Sequence, residues 1–283
     1  MHISENYESR LSNPTDARTV IFTDLDGTLL DPFTYSYVVA MPLVARLRSR
    51  GIPIIFCSSK TRVEQEVYRR KLGIEDPFIV ENGGAIFINR GYFPFACEYN
   101  RVVGDYHVIE LGMPYGEVRK KLKEINEKNN LAIRGFGDMD AVAIANLTGL
   151  DVESAKLAKE REYEETLNLE VKEPDIKFIL KKIGEAGLQW NRGSRFYSAS
   201  GKSDKGQATK IVIKLLEKKL GKIKTIGIGD SFNDVPMLSE VDFPVLVQKP
   251  GNYWEEIDLQ NLYRVSGVGP QGWVRAVEEL TGI

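Results

Sequence analysis

The chain has 283 residues, of which 42% are hydrophobic and 28% are charged, and its formal net charge is −2. This composition indicates a globular protein with a sizeable core, and the length favours two domains. A net charge this small provides no overall field to attract nucleic acid, so we expect no nucleic-acid partner. The start lacks the features of a signal peptide, no segment has the length and apolar character of a membrane span, and two cysteines make no disulfide framework. We therefore expect a cytoplasmic protein without a membrane partner.

Short apolar runs alternate with amphipathic stretches, a pattern typical of a mainly parallel sheet covered by helices. The runs that predict strands lie at residues 19–23, 53–57, 78–80, 225–229 and 243–247. A helix is predicted over 208–220, where apolar residues share one face and Gly221 ends the pattern. The predicted fold class is therefore α/β.

The stretch from about residue 112 to residue 191 has a different pattern. Helices are predicted at 115–129, 152–162 and 175–185, with weaker strand signals at 141–144 and 167–171. We interpret this stretch as a smaller α/β domain inserted into the first. The larger domain then comprises residues 17–111 and 192–283, and residues 1–16 form an N-terminal tail without an assignment.

Three predicted strands end in polar clusters, and open α/β sheets bind ligands outside the carboxyl ends of their strands. The clusters are 24–29 (DLDGTL), 58–61 (SSKT) and 230–234 (DSFND). Asp24 and Asp26 lie two apart, so their side chains can project the same way. Their carboxylates repel unless a cation joins them, and Asp230 and Asp234 add oxygen ligands of the kind that Mg²⁺ prefers. An isolated Asp-x-Asp is usually an exposed turn, but three converging clusters predict one magnesium-dependent site.

Residues 24–29 resemble the first motif of the haloacid dehalogenase-type phosphatases. The family's other motifs follow in order, because Ser58 resembles its phosphate-binding hydroxyl, Lys205 its third-motif lysine and residues 229–234 its metal-binding fourth motif. The resemblance implies a Rossmann-type parallel-sheet core. It also implies that the insertion is an α/β cap over the active site, since one group of this superfamily carries such a cap between the second and third motifs. A non-catalytic sugar-phosphate sensor is disfavoured, because both motif aspartates are present.

The same resemblance implies how the acidic residues act. Asp24 attacks phosphorus and forms an aspartyl-phosphate, while Asp26 protonates the departing alkoxide and then takes a proton from water. Magnesium is held by an Asp24 side-chain oxygen, the backbone carbonyl of Asp26, and Asp230. Asn233 and Asp234 then support the ion or orient the phosphate.

Positive and hydroxyl groups are expected to stabilise the phosphate charge. By resemblance these groups are Ser58 and Lys205. The residues alone leave an alternative open, because Ser59 can replace Ser58 and Lys60 can be the cation near the phosphate. One sequence does not fix which of these side chains points inward.

Five short segments together resemble the mannosyl-3-phosphoglycerate phosphatases. They are 58–62 (SSKTR), 81–87 (ENGGAIF), 161–163 (REY), 193–197 (GSRFY) and 269–273 (GPQGW). This resemblance implies a small phosphorylated sugar as substrate, with phosphate and mannosylglycerate, a compatible solute, as products. An activity on glucosyl-3-phosphoglycerate or on many sugar phosphates stays open at this point, as do the preferred hexose and the oligomeric state.

A substrate with both a phosphate and a carboxylate requires a second cationic contact, for which guanidinium is well suited. Arg161 and Arg195 are the candidates, although either can instead form a structural ion pair. Asn82 and Gly83 follow a predicted strand and are expected at the pocket wall or in a hairpin turn. The remaining predicted substrate-binding residues are Ser59, Lys60 and Asn233.

Overall fold

The computed structural model describes residues 17–193 and 195–283. The strands in this part of the chain are β1 (Arg18–Thr23), β2 (Ile54–Cys57), β3 (Phe78–Val80), β4 (Ala85–Asn89), β5 (Arg101–Val103), β6 (Tyr106–Glu110), β7 (Arg134–Gly135), β8 (Glu164–Asn168), β9 (Gln189–Arg192), β10 (Tyr197–Ser200), β11 (Ile223–Gly229), β12 (Phe243–Gln248) and β13 (Tyr263–Val268). The α-helices are α1 (Met41–Ser49), α2 (Arg62–Leu72), α3 (Tyr115–Asn129), α4 (Ala141–Thr148), α5 (Val152–Lys159), α6 (Glu173–Glu185), α7 (Lys205–Leu220), α8 (Val235–Ser239) and α9 (Gln271–Thr281). The predicted N-terminal tail, residues 1–16, lies outside the described residues.

A nine-stranded sheet with the order β13-β12-β11-β1-β2-β3-β4-β6-β5 forms the larger part of the fold. The strands from β13 to β3 are parallel, and β4, β6 and β5 continue the sheet antiparallel. Val20, Ile21 and Phe22 of β1 are fully buried, as expected for a central strand covered on both faces. The predicted α/β class with a parallel-sheet core is confirmed.

Helices cover both faces of this sheet. On one face, α1 and α9 bury Leu47 and Trp273, and on the other α7 buries Val212 against the strands. Removing one such side chain from water contributes about 1.5–3 kcal/mol to folding. No helix in residues 17–193 and 195–283 combines the length and apolar character needed to cross a membrane.

A separate antiparallel sheet with the order β7-β8-β10-β9 lies in the inserted stretch. It has its own core, in which Val118 of α3 and Ile183 of α6 pack with Leu167 of β8 and Ala199 of β10. The predicted end of the insertion at residue 191 falls inside β9, and β10 continues the small sheet to Ser200. The domain limits themselves stay a prediction.

The predicted helices 115–129 and 208–220 are confirmed as α3 and α7, but the strand predicted at 141–144 is wrong. These residues begin α4 instead. The Asp140 carboxylate accepts a hydrogen bond of 2.7 Å from the Ala143 amide and so caps the helix. Val142 and Ile144 gave the strand signal, but this cap and the burial of Ile144 stabilise a helix.

The turn between β13 and α9 packs directly against the turn that follows β1. A Cβ added to Gly269 would overlap the backbone carbonyl oxygens of Gly27 and Thr28. Since backbone atoms cannot move aside without distorting the turn, this close approach requires glycine.

We expect Gly269→Ala to lower the free energy of unfolding by about 1–3 kcal/mol or more, because the added methyl group overpacks the contact. Gly184→Ala in α6 is the matched control, since nothing lies within 4 Å of its added Cβ. The control should leave stability unchanged or raise it by up to about 1 kcal/mol. Urea unfolding measures both variants, and equal effects would contradict the close-contact argument.

Candidate active site

Three buried carboxylates meet where β1 and β11 end side by side. Asp24 follows β1, while Asp230 and Asp234 follow β11, which pairs with β1 in parallel. Oxygen atoms of the three side chains lie within 4.8 Å of one another. The Lys205 Nζ atom bridges two of them, at 2.7 Å from Asp24 Oδ1 and 2.6 Å from Asp234 Oδ1.

The electrostatics of this cluster favour an additional cation. Burial raises the pKa of Asp24 to about 8, and the neighbouring carboxylates of Asp234 and Asp230 add to this, although Lys205 opposes it. Burial disfavours the charged form of Lys205, but Asp234 and Asp24 outweigh it and raise the lysine pKa. Three carboxylates beside the ammonium groups of Lys205 and Lys249 leave an excess of negative charge. The all-oxygen donor set therefore fits a hard divalent cation such as Mg²⁺.

Local hydrogen bonds hold this cluster in shape. One oxygen of Asp234 accepts from the backbone amides of Asp230 and Ser231, at 3.0 and 3.1 Å. The Ser231 hydroxyl donates to Asp230 Oδ1 at 2.8 Å. Lys205 is the first residue of α7, where Asp204 caps the helix by accepting from the Gln207 amide. The cap fixes the first turn of α7 and therefore the position of the Lys205 backbone.

The Asp26 side chain has different partners from Asp24. Asp26 Oδ2 lies 3.0 Å from Lys60 Nζ, and Lys60 also lies 3.3 Å from Glu64 Oε1. Burial raises the pKa of Asp26 above its ordinary value, against the effect of Lys60. The Asp26 carboxylate is not a member of the three-carboxylate cluster. Its predicted metal contact through the backbone carbonyl stays a prediction.

The segment after β2 turns Ser59 and Lys60 towards a cleft, whereas Ser58 is fully buried and does not line it. The Ser58 Oγ atom accepts a hydrogen bond of 3.3 Å from the Lys60 amide. Its phosphate contact stays a prediction.

The cleft has a volume of about 780 Å³ and lies between the carboxyl ends of the large-sheet strands and the small sheet. Its lining includes Asp24, Asp26, Ser59, Lys60, Asn82, Asp230 and Asn233 on one side and Arg161, Glu164, Arg192, Arg195 and Tyr197 on the other. A second cavity of about 800 Å³ lies at the amino end of β11, far from the buried carboxylates. We therefore assign the chemistry to the first cleft.

A turn after β3 connects the two halves of the cleft. Glu81 in this turn is fully buried, and its carboxylate accepts three backbone hydrogen bonds of 2.8–2.9 Å from residues 162–164, which lead into β8. Glu81 and Asn82 both have positive φ, at 48° and 53°. Residues other than glycine rarely adopt a positive φ, so the surrounding contacts hold the backbone of this turn in place.

Asn82 contacts both halves of the cleft, and Gly83 packs against the start of α7. Asn82 Nδ2 donates to Glu164 of β8 at 2.7 Å, and Asn82 Oδ1 accepts from Asn233 at 3.1 Å. Gly83 has a φ of 97°, and a Cβ there would overlap the backbone of Asp204. Gly83 is predicted to bind substrate, but it does not line the cleft and instead packs beneath the start of α7.

Arg161 and Arg195 are predicted to bind the substrate carboxylate, but both guanidinium groups donate hydrogen bonds to acceptors within the protein. Arg161 donates to the Ser59 carbonyl oxygen from both Nη atoms, at 3.2 and 3.1 Å, and pairs with Glu164 at 3.4 Å. Arg195 donates to the carbonyl oxygens of Leu147 and Thr148, at 2.8 and 2.6 Å. Direct substrate contact by Arg161 or Arg195 stays a prediction.

Sequence reasoning missed Lys249, in the segment after β12. Its Nζ atom lies 3.3 Å from Asp230 Oδ2, 3.0 Å from Ser231 Oγ and 3.3 Å from Glu255 Oε2. Lys249 belongs to none of the motifs, and a lone lysine in a loop is usually a surface residue. Only the three-dimensional fold brings it to the acidic cluster.

Residues 21–250 match the family model described as haloacid dehalogenase-like hydrolase. The chain belongs to this hydrolase family. A relative from Methanococcoides burtonii, named glucosyl-3-phosphoglycerate/mannosyl-3-phosphoglycerate phosphatase, is 45% identical over 93% of this chain and 97% of its own. A mannosyl-3-phosphoglycerate phosphatase from Pyrococcus horikoshii is 42% identical over 81% of this chain and 90% of its own.

Two solved structures share the fold of the chain. A protein from Thermoplasma acidophilum superposes with a TM-score of 0.66 at 15% identity, covering 94% of this chain and 100% of that one. The sucrose-phosphatase from Synechocystis superposes with a TM-score of 0.60 at 14% identity, covering 93% and 98%. At these identities the likeness shows the fold alone.

Glu81 gives a testable pH dependence. Burial raises its pKa from 4.5 to about 7, against the effects of Arg161 and the backbone amides. The folded state therefore holds this proton more tightly than the unfolded state, so the contribution of Glu81 to stability is complete below about pH 4.5 and is lost as the pH rises through about 7.

Glu81→Gln removes this titration, so its unfolding free energy should rise relative to that of the wild type between about pH 4.5 and about pH 7. Urea unfolding at several pH values measures the difference. Glu153→Gln at an exposed position of α5 is the control for losing one carboxylate. If Glu81→Gln and the wild type kept a constant difference across this range, the buried-carboxylate interpretation would be wrong.

Proposed function

We propose that the chain releases phosphate from mannosyl-3-phosphoglycerate and glucosyl-3-phosphoglycerate, giving the corresponding glycosylglycerates. The name of the 45% identical relative includes both substrates, which is why we propose both hexoses. The observation that carries a phosphatase function is the buried lysine bridge between Asp24 and Asp234 at the bottom of the cleft. A nucleophile held beside a fixed cation suits attack on a phosphate ester.

We infer that Asp24 is the nucleophile. One of its oxygens forms a bond to phosphorus while the bond from phosphorus to the ester oxygen breaks, which leaves an aspartyl-phosphate and an alkoxide. Water then attacks phosphorus and releases phosphate, regenerating the carboxylate. The Lys205 ammonium, 2.7 Å from Asp24, orients this carboxylate and stabilises the charge on the phosphoryl oxygens.

Asp26 serves as the general acid and base in this proposal. It gives a proton to the departing alkoxide and takes one from the attacking water. Two observations support the role: burial raises its pKa, and its Oδ1 atom is buried without a hydrogen-bond partner among the described residues. Lys60 holds the other oxygen at 3.0 Å and so fixes the orientation of the carboxylate.

We propose Mg²⁺ as the cofactor, held by the carboxylates of Asp24, Asp230 and Asp234 with the backbone carbonyl of Asp26. When bound, the ion supplies charge neutralisation to the phosphate. Asp234 then has two roles, because it also pairs with Lys205.

The remaining predicted contacts complete the proposal. Ser58 contacts the phosphate, and the substrate side of the cleft uses Ser59, Lys60, Asn82, Asn233, Arg161 and Arg195. The inserted unit, predicted as residues 112–191, is the cap that surrounds the sugar. We propose a cytoplasmic location, which the free cysteines Cys57 and Cys97 support.

Asp24→Asn should lower turnover of both glycosyl-phosphoglycerates by about ten-thousand-fold or more, since an amide is a poor nucleophile. Asp26→Asn should cost about a hundred-fold to ten-thousand-fold through lost proton transfer. Asp175→Asn, at an exposed position in the first turn of α6, is the matched control and should keep full activity. Phosphate release measures all three, and an active Asp24→Asn enzyme would exclude Asp24 as the nucleophile.

Removal of divalent metal with a chelator should abolish phosphate release, and added Mg²⁺ should restore it. Mg²⁺ should also raise the melting temperature without substrate, because a ligand of the folded state stabilises it by about 2.7 kcal/mol at a hundred times its dissociation constant. Asp230→Asn should weaken this thermal shift. Full activity of the metal-free protein would contradict the assigned site.

A further inference from the structure

The cationic side chains around the cleft differ in whether they have a hydrogen-bond partner among the described residues. The cationic side chains in its lining are Lys60, Arg161, Arg192, Arg195 and Lys249. Lys60, Lys249 and Arg161 pair with carboxylates, and the guanidinium groups of Arg161 and Arg195 donate to backbone carbonyl oxygens. In the part of the chain that the structure describes, no carboxylate lies within ion-pair distance of Arg192.

Arg192 is the last residue of β9, the edge strand of the small sheet, and it is exposed. It pairs across the strands with Tyr197, and its guanidinium carbon lies 5.9 Å from the centre of the tyrosine ring. This contact restrains the side chain on one face and leaves the planar edge of the guanidinium for a ligand.

The position of β9 brings the Arg192 charge towards the carboxylate cluster. β9 packs against the turn Phe232–Asp234, which belongs to the fourth motif and contributes Asp234 to the carboxylate cluster. Tyr197 also lines the cleft. Arg192 therefore lines the same cleft as Asp230 and Asn233, on a strand that packs against the turn containing Asn233.

We propose that Arg192 binds the carboxylate of the glycerate unit and thereby selects glycosyl-phosphoglycerates over other sugar phosphates. This assignment rests on the proposed function. The substrate carries its carboxylate a few bonds from the phosphate, so an anion held by Lys205 requires a second cation nearby. A guanidinium matches a carboxylate with two parallel hydrogen bonds, and no acceptor among residues 17–193 and 195–283 holds the Arg192 guanidinium.

The test compares two substrates that differ in one group. One is mannosyl-3-phosphoglycerate, and the other is its analogue in which the carboxylate is reduced to an alcohol. Arg192→Ala should raise KM for the first about ten-fold to a hundred-fold, with kcat little changed, and should leave the kinetics of the analogue unaltered. Arg192→Lys should recover part of the loss, since it restores the charge but not the paired geometry.

Arg134→Ala is the matched control, because Arg134 is an exposed arginine of β7 at the opposite edge of the same sheet and does not line the cleft. It should leave both substrates unchanged. A thermal melt checks that each variant is folded, and exposure of Arg192 predicts no loss of stability.

Two results would overturn the assignment. If Arg192→Ala slowed both substrates equally, or if the carboxylate-selective loss appeared in Arg161→Ala or Arg195→Ala instead, Arg192 would not be the carboxylate ligand. If the wild-type protein hydrolysed neither glycosyl-phosphoglycerate, the proposed function would fail and this assignment with it. The wild-type measurement thus separates failure of the function from failure of the residue assignment.

Discussion

The active site depends on one buried ammonium group. Lys205 contacts Asp24 and Asp234, which come from segments far apart in the chain, and all three side chains are almost completely inaccessible to water. Burying charges without partners is costly, so each group requires the other two. The end of β1, the turn after β11 and the start of α7 therefore adopt their positions together, which fixes the orientation of the Asp24 carboxylate.

A second set of contacts connects this cluster with the small sheet. Glu81 holds the backbone that leads into β8, and Asn82 joins Glu164 of β8 to Asn233 of the fourth motif. These contacts connect the small sheet with the turn that carries Asp234, through polar groups that are buried or partly buried. Because such groups are costly to leave unpaired, these hydrogen bonds oppose a shift of the small sheet relative to the turn Phe232–Asp234.

The sequence predicted the fold class and the acidic cluster because both depend on local patterns. Buried parallel strands are continuous apolar runs, and Asp24, Asp230 and Asp234 follow such runs directly. Contacts that arise only from tertiary packing were not predictable, including Lys249 beside Asp230 and the packing of Gly83 beneath Asp204. The strand wrongly predicted at 141–144 has the same cause, because a cap and tertiary burial outweighed the preference of its β-branched residues.

The central position of β1 has a consequence for how the chain folds during synthesis. Its neighbours are β2 and β11, and Arg18 pairs with Ile223, so one flank of the strand stays uncovered until most of the chain has left the ribosome. The small sheet and its helices use residues that are closer together in the chain and have a core of their own, so they can form earlier. We infer that the nascent protein completes the small sheet first and assembles the cluster of Asp24, Asp230 and Asp234 only when β11 is added. An incomplete chain would then lack the assembled carboxylate cluster.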